Sequence, residues 1–331
     1  MMQRIGKGLI YFVLALCGLT MIMPFLWMAT TALKSQIEVN KGHVGFVPID
    51  DFSYYHDGAV EHRVKVVSAE GDSAYVHFFD DEGFIIRDPA YTYIKVPAAA
   101  VHRERKVVPH WENFTKAWNK VPFGRYFFNT ILVSLTVMVG VIVTGALSAY
   151  AFARMRFIGK DFLFYLFISM MMVPQPIYLI PSYVLLNHLG WIDTYQALII
   201  PWMANIFTIF LLRQHFKTIP QDLFDAAAID GCSRFRMLWQ IVLPLSKSVL
   251  ATAAIFSVIG SWNSFMWPLV MTNSESLRVL QVGLSYFSQE SSSQTTLLMA
   301  ASTFSIAPLI ALFLLAQRQI ISSFASSGLK G

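Results

Sequence analysis

Apolar and polar residues come in long blocks along most of this chain. Six mostly apolar stretches lie near Gly8–Leu33, Tyr126–Phe152, Phe162–Leu186, Thr194–Leu212, Ser248–Val270 and Gln294–Gln317. Each meets the requirement of roughly 20 apolar residues for a helix that crosses a bilayer. All but the fourth exceed it, so tilt or extension past the lipid is expected. The third carries Pro174, Pro176 and Pro181, which remove backbone donors and should kink or break it. Gly8–Leu33 is longer than the secretory-signal core of about 7–15 residues, and "TTALKSQ" offers no convincing cleavage site. It reads as a membrane span.

The pattern changes over Lys34–Arg125. There "HRVKVV", "SAYVHFF", "GFIIR" and "YTYIKV" alternate as short strands, separated by the turn-forming "SAEGD", "DDEG" and "RDPA". Four strands with an aromatic face are expected. Tyr75, Phe78, Phe79, Tyr91 and Tyr93 could serve a docking partner or only the sheet's own core. His43, His56, His62, His77, His102 and His110 fall in the same segment, but their spacing matches no metal-binding pattern. They read as surface residues.

Composition supports the membrane reading. Of 331 residues, 55% are hydrophobic and 14% charged, against about 25% charged in soluble domains. The net charge of +5 is spread along the chain and flanks the apolar blocks. That distribution fits membrane orientation rather than nucleic-acid binding. With the N-terminus inside, the short inner segments hold Arg4, Lys7, Arg154, Arg156, Lys160, Arg213, Lys217, Arg234, Arg236, Lys247, Arg318 and Lys330. The short outer loops Asn187–Asp193 and Met271–Ser293 hold only Arg278, so both termini are expected in the cytoplasm. Cys17 then lies in the bilayer and Cys232 on the cytoplasmic side, too far apart to pair.

No span carries Asp, Glu, Lys or Arg away from its ends. This argues against intramembrane catalysis and proton-coupled transport. Gln175, Asn205, Trp262 and Asn263 are the polar candidates for a solute path, though interhelical hydrogen bonding is the commoner role of such residues. A neutral polyhydroxyl solute would suit them. The chain contains no G-x-x-x-x-G-K-[ST] phosphate loop, so energy for uphill transport must come from another polypeptide.

Between the fourth and fifth spans lies "FDAAAIDGCSRFRMLWQIVLPL". Pro220 can open a helix over Gln221–Ile229, with Gly231 at its left-handed end. Ser233 can cap a second helix ended by Pro244, with Phe235, Leu238, Trp239 and Val242 on one face. Two short helices at a sharp angle suit either an interfacial cover or a docking element.

This stretch resembles the EAA loop of permease subunits of binding-protein-dependent ABC importers. The matching positions are Asp225, Ala226, Ala227, Asp230, Gly231, Cys232, Phe235, Ile241, Leu243 and Pro244. Aspartate replaces the usual glutamate at Asp225, and cysteine the usual alanine at Cys232. A proline common in the family is Ser248 here. "VPFGRYFFNTILVS" and "GWIDTYQALIIP" are similar to the starts of the family's second and fourth spans. "SWNSFMWPLVM" and "SSGLKG" are similar to its carbohydrate-uptake branch, the maltose and glycerol-3-phosphate type.

The resemblance covers about Pro122–Gly331 and implies the ABC importer permease fold, an all-α polytopic protein of six transmembrane helices. The small extracytoplasmic β-rich insertion between helices 1 and 2 rests on the strand pattern alone and has no counterpart in the family. Together they give a cytoplasmic N-terminus and first helix over 1–33, an extracytoplasmic loop over 34–125, a permease core over 126–320 and a cytoplasmic tail over 321–331. Within the core, 217–247 would be the coupling loop, its ATPase contacts made by Asp225, Ala226, Ala227, Asp230, Gly231, Phe235 and Pro244. The implied function is half of an import pore for a sugar or oligosaccharide in a bacterial inner membrane. The alternative is a non-sugar solute such as glycerol-3-phosphate, a polyol or a peptide; a membrane-embedded enzyme is a more distant reading. Implied partners are a second homologous permease subunit, two copies of a cytoplasmic ABC ATPase, an extracytoplasmic solute-binding protein and membrane lipid. No cofactor, metal or nucleic acid is implied.

Overall fold

Sustained apolar character over thirty residues, with no proline between Phe123 and Arg154, yields one uninterrupted helix. In the computed structural model, which describes residues 2–42, 45–56, 61–78, 94–289 and 294–328, this is helix α4 (Phe123–Arg154). Its 32 residues span about 48 Å at 1.5 Å per residue, well beyond the ~30 Å hydrocarbon layer.

The chain divides into two units, Met1–Ala117 with Glu290–Thr303, and Trp118–Gln289 with Phe304–Gly331. The first holds α1 (Met2–Ala32), α2 (Gln36–Asn40) and a five-stranded antiparallel sheet. Its strands are β1 (Ile49–His56), β2 (Glu61–Glu70), β3 (Ser73–Phe78), β4 (Ile94–Pro97) and β5 (Val101–Val107), in the order β4-β3-β2-β1-β5.

The sheet differs from the four strands expected. β1 and β5 are additional, and their sequences "IDDFSYYH" and "VHRERKV" carry too much charge to read as strands. Cross-strand pairing places those charges in opposition: Asp50 faces Lys106 and Asp51 faces Arg105. Opposite charges across a ladder favour pairing. Arg105 Nε lies 3.2 Å from Asp51 Oδ1. Lys41 and Arg105 hold the Asp51 carboxyl below the ordinary aspartate value. The sheet's buried core is aliphatic, Val64, Ala74, Val76 and Val96, with Tyr55 and Phe78 at its margin. "GFIIR", Phe79, Tyr91, Tyr93, His43 and the "LKG" of the tail lie outside the described residues.

A polar knot follows α1. Lys34 and Glu38 form a buried pair at 3.2 Å, and Glu38 also accepts from the Ile49 backbone N–H at 3.1 Å. Asn113 donates to the carbonyls of Ala32 and Lys34, both at 2.9 Å. These three buried side chains thus all have partners, as burial demands. His110 sits 2.7 Å from both Glu112 and Asp50. Burial lowers its pKa, but the two carboxylates outweigh that and hold it above the ordinary histidine value.

The second unit contains the remaining spans, save the start of the last, which belongs to the first unit. After α3 (Glu112–Lys120), which straddles the unit boundary, come α4 and the pair α5 (Lys160–Met170) and α6 (Gln175–His188). α5 and α6 meet at 101°. The expected third span is therefore broken, at the segment ending in Pro174, where a helix cannot continue through the missing donors. The fourth is α7 (Tyr195–Ile199), a 3-10 turn Ile200–Trp202 and α8 (Ile206–Thr218). It runs past the predicted end at Leu212 and takes in buried Arg213, which donates to the Phe152 carbonyl and stacks 3.7 Å from the Phe164 ring centroid. The fifth was expected as one helix over Ser248–Val270. Instead α12 (Lys247–Trp262) stops and α13 (Met266–Met271) follows. Pro268 lacks an N–H and its ring would clash with the Ser264 carbonyl in a continuous helix. α14 (Leu280–Gln289) and α15 (Thr295–Gly328) complete the chain. Among the described residues, four helices are long and apolar enough to cross a membrane, and two bent pairs bring the count to six.

Candidate functional site

The polar loop after α8 folds as two short helices. α9 (Gln221–Ile229) starts after Pro220 and ends in a left-handed glycine, Gly231 at φ 72°. Gly231 N–H donates to Ala228 O at 3.1 Å and Cys232 N–H to Ala227 O at 2.9 Å. These paired bonds satisfy carbonyls that a helix end otherwise leaves open. Ser233 then caps α10 (Arg234–Met237), its hydroxyl accepting from Arg236 N–H at 3.3 Å.

The second helix continues as a π-helical turn, Leu238–Val242, into α11 (Leu243–Leu245). The wider turn splits the face expected from helical spacing. Leu238 and Val242 are buried, whereas Phe235 and Trp239 are 63% and 51% exposed, their rings tilted at 60° with centroids 6.1 Å apart. Pro244 lies inside the last turn, and the break falls at Ser246, where α12 departs at 85°.

The buried face of this loop is built into the bundle. Phe224, Ala227, Met237, Leu238 and Val242 form one core with Ala146, Ala149 and Tyr150 of α4, Leu212 and Phe216 of α8, and Val249 of α12. Asp225 accepts from Gln221 Nε2 at 2.9 Å. Sequence reasoning missed Arg154, seen there only as an orienting charge. Its side chain reaches Phe216, Ile219 and Gln221. No local signal distinguishes it from Arg156.

A cavity of about 340 Å³ lies between α4, α6, α8, α12 and α13. Gln175, Asn205 and Asn263 all line it, with Trp202, Trp267, Phe256 and Ser257. Among the described residues no ionisable side chain does. Asn205 Oδ1 caps α8 by accepting from Thr208 N–H at 2.9 Å. Asn263 donates to Ile259 O at 2.9 Å. The Trp202 indole N–H and the Ser257 hydroxyl are buried without a hydrogen-bond partner. Trp262 is not in the lining: it is buried, with its indole N–H donating to Ser305 O at 3.1 Å.

A second polar network closes one end of this bundle. Buried Asn129 donates to the carbonyls of Ser276 and Arg278, both at 2.9 Å, and accepts from Tyr195 OH at 2.7 Å. Thr130 Oγ1 accepts from Leu280 N–H at 2.8 Å. Asp193, at φ 60°, accepts from the N–H groups of Asn273 and Ser274 and from the Ser274 hydroxyl, all at 2.9 Å. Burial raises the Asp193 pKa, but these donors prevail and hold it below the ordinary aspartate value.

Comparison with known proteins matches this architecture. Residues 126–325 match the family described as binding-protein-dependent transport system inner membrane component. The chain is 36% identical to the probable ABC transporter permease protein YurM of Bacillus subtilis over 67% of its length and 74% of that protein's. It is 34% identical to the sn-glycerol-3-phosphate transport system permease protein UgpE of Yersinia enterocolitica, over 66% and 81%. A crystal structure of a bacterial ABC transporter that imports the acidic polysaccharide alginate superimposes with a TM-score of 0.67 at 20% identity, covering 95% of this chain and 96% of that one. Fold and loop together define the transmembrane subunit of an ABC importer. The chain belongs to the binding-protein-dependent transport system inner membrane component family, a transport component whose ATPase is a separate subunit.

Proposed function

We propose that this permease forms half of an import pore for a neutral sugar or oligosaccharide, driven through its 217–247 loop by two copies of a cytoplasmic ATPase. The observation that carries the reading is the division of that loop. One face is fused to α4, α8 and α12, while the Phe235–Trp239 pair and Ile229 stand exposed on the other. Aromatic anchors on a rigid helix suit docking into a partner's groove. Asp225, Ala226, Ala227, Asp230, Gly231, Phe235 and Pro244 are its working positions, and a second homologous permease completes the pore. A solute-binding protein delivers cargo from outside. Both termini face the cytoplasm by the excess of Lys and Arg. Accordingly, a cysteine at Ser73 should react with an impermeant maleimide only from outside the cell, and one at Ser233 only from inside. Reaction of both from one side overturns the orientation.

Gln175, Asn205 and Asn263 line the solute path, with Trp262 assigned to helix packing. The uncharged lining favours a neutral polyhydroxyl cargo. The aromatic rings of the lining can face sugar carbons. The relationship to a glycerol-3-phosphate permease keeps that solute as the second reading. In proteoliposomes of the whole transporter, neutral oligosaccharides should be taken up in preference to glycerol-3-phosphate. Asn263→Leu should reduce their uptake about ten-fold, the loss of one to two hydrogen bonds to cargo. A preference for glycerol-3-phosphate selects the second reading, and full uptake by the variant removes Asn263 from the path.

A further inference from the structure

A polar link at the end of α4 adds to the apolar packing that already joins this helix to the loop. Arg154, the last residue of α4, donates from Nε to Phe216 O at 3.1 Å and from Nη2 to the same oxygen at 2.7 Å. Nη2 also donates to Ile219 O, and Nη1 to Gln221 Oε1 at 3.0 Å. The guanidinium lies 4.3 Å from the ring centroid of Phe224. Gln221 in turn donates to Asp225. One planar group therefore joins α4, the C-terminus of α8 and the first turn of α9.

Physical chemistry favours an arginine here. The last carbonyls of α8 have no backbone donor within the helix, and the chain then runs into Pro220, which has no N–H to offer. The negative end of the α8 dipole favours a cation. A guanidinium presents five donors in a fixed fork and stacks on a ring, whereas a lysine is a point charge that can do neither at once.

We infer that Arg154 is a positioning residue that makes α4 move with the 217–247 loop, so that a push on the loop reaches the cavity-lining face of α4. This rests on the reading of that loop as the coupling element. Val133, Val137 and Val141 of α4 line the cavity. A rigid link at Arg154 would carry the ATPase stroke to that wall directly, beside the route through α8 and α12.

The test uses the whole transporter, with its ATPase and second permease, in lipid nanodiscs. Cys17 and Cys232 are replaced by serine, and Val137→Cys supplies a single cavity thiol. Trapping with ATP and vanadate is expected to change the maleimide labelling rate at that thiol about five-fold or more. In Arg154→Lys the ATPase still co-purifies, and hydrolysis stays within about two-fold of the parent, but the labelling response falls below about two-fold. Retention of the full response by Arg154→Lys overturns the inference. Gly231→Val is run beside it. If Gly231→Val loses the response while Arg154→Lys keeps it, the coupling loop stands and the role of Arg154 falls. If both keep it, both fall. Should Arg154→Lys fail to assemble, Phe224→Leu removes the stacked ring while keeping an apolar side chain. That variant is expected to assemble with its response cut by about half or more, and an undiminished response there overturns the inference as well.

Discussion

Valine at Gly231 is expected to abolish ATP hydrolysis stimulated by the solute-loaded binding protein while leaving membrane insertion intact. Gly231 adopts φ 72°, and nothing lies within 4 Å of where a Cβ would stand. The cost of a side chain is therefore one of backbone conformation, not collision. A β-branched residue in the left-handed region is strained by roughly 1–3 kcal/mol, enough to shift the end of α9 to another conformation. That would break the two bonds from Gly231 and Cys232 to Ala228 and Ala227, and with them the angle between α9 and α10. Gly231→Asn is the informative companion, because asparagine tolerates this conformation. It should keep most of the stimulation. Normal stimulation in the valine variant would sink the coupling role of the loop, and equal loss in both variants would make the cause something other than backbone angle.

Asn129→Leu should destabilise the folded permease more than any single exposed change. Leucine has the same heavy-atom count and branch point as asparagine but offers no polar atom. It removes the partner of the Ser276 and Arg278 carbonyls and of the Tyr195 hydroxyl, three part-buried hydrogen bonds. At about 1 kcal/mol for each lost bond the total is on the order of 3 kcal/mol. Thermal unfolding of the purified protein in detergent, read by tryptophan fluorescence, should shift down by roughly 10 °C. A shift under about 2 °C would mean that water replaces the lost partners and that Asn129 does not hold the 272–280 segment.

The stepwise breaks in the spans show where local sequence reasoning was sufficient. Pro174 and Pro176 announce the break between α5 and α6 because the loss of a backbone donor is a property of the residue itself. Gly231 and Ser233 announce the loop's two helices for the same reason: a left-handed glycine and a capping hydroxyl act within a few residues. The break after Trp262 was equally within reach through Pro268, but the apolar run masked it. By contrast β1 and β5 could not be read locally. Their charges are tolerable only because each strand supplies the other's counter-ions across the ladder.

Apolar blocks, proline positions and the spread of basic residues are enough for the sequence by itself to determine a polytopic helical protein, its broken third span and its polar loop. Each follows from the bilayer's intolerance of unpaired backbone and from the intrinsic geometry of single residues. Only the tertiary structure decided that the loop is welded to α4 through Arg154, that Phe235 and Trp239 part company with Leu238 and Val242, and that Gln175, Asn205 and Asn263 share one cavity while Trp262 does not. Those outcomes depend on which distant carbonyl lies within about 3 Å of a donor, and on a π turn that shifts the helical face by one residue. Spacing along the chain carries neither piece of information.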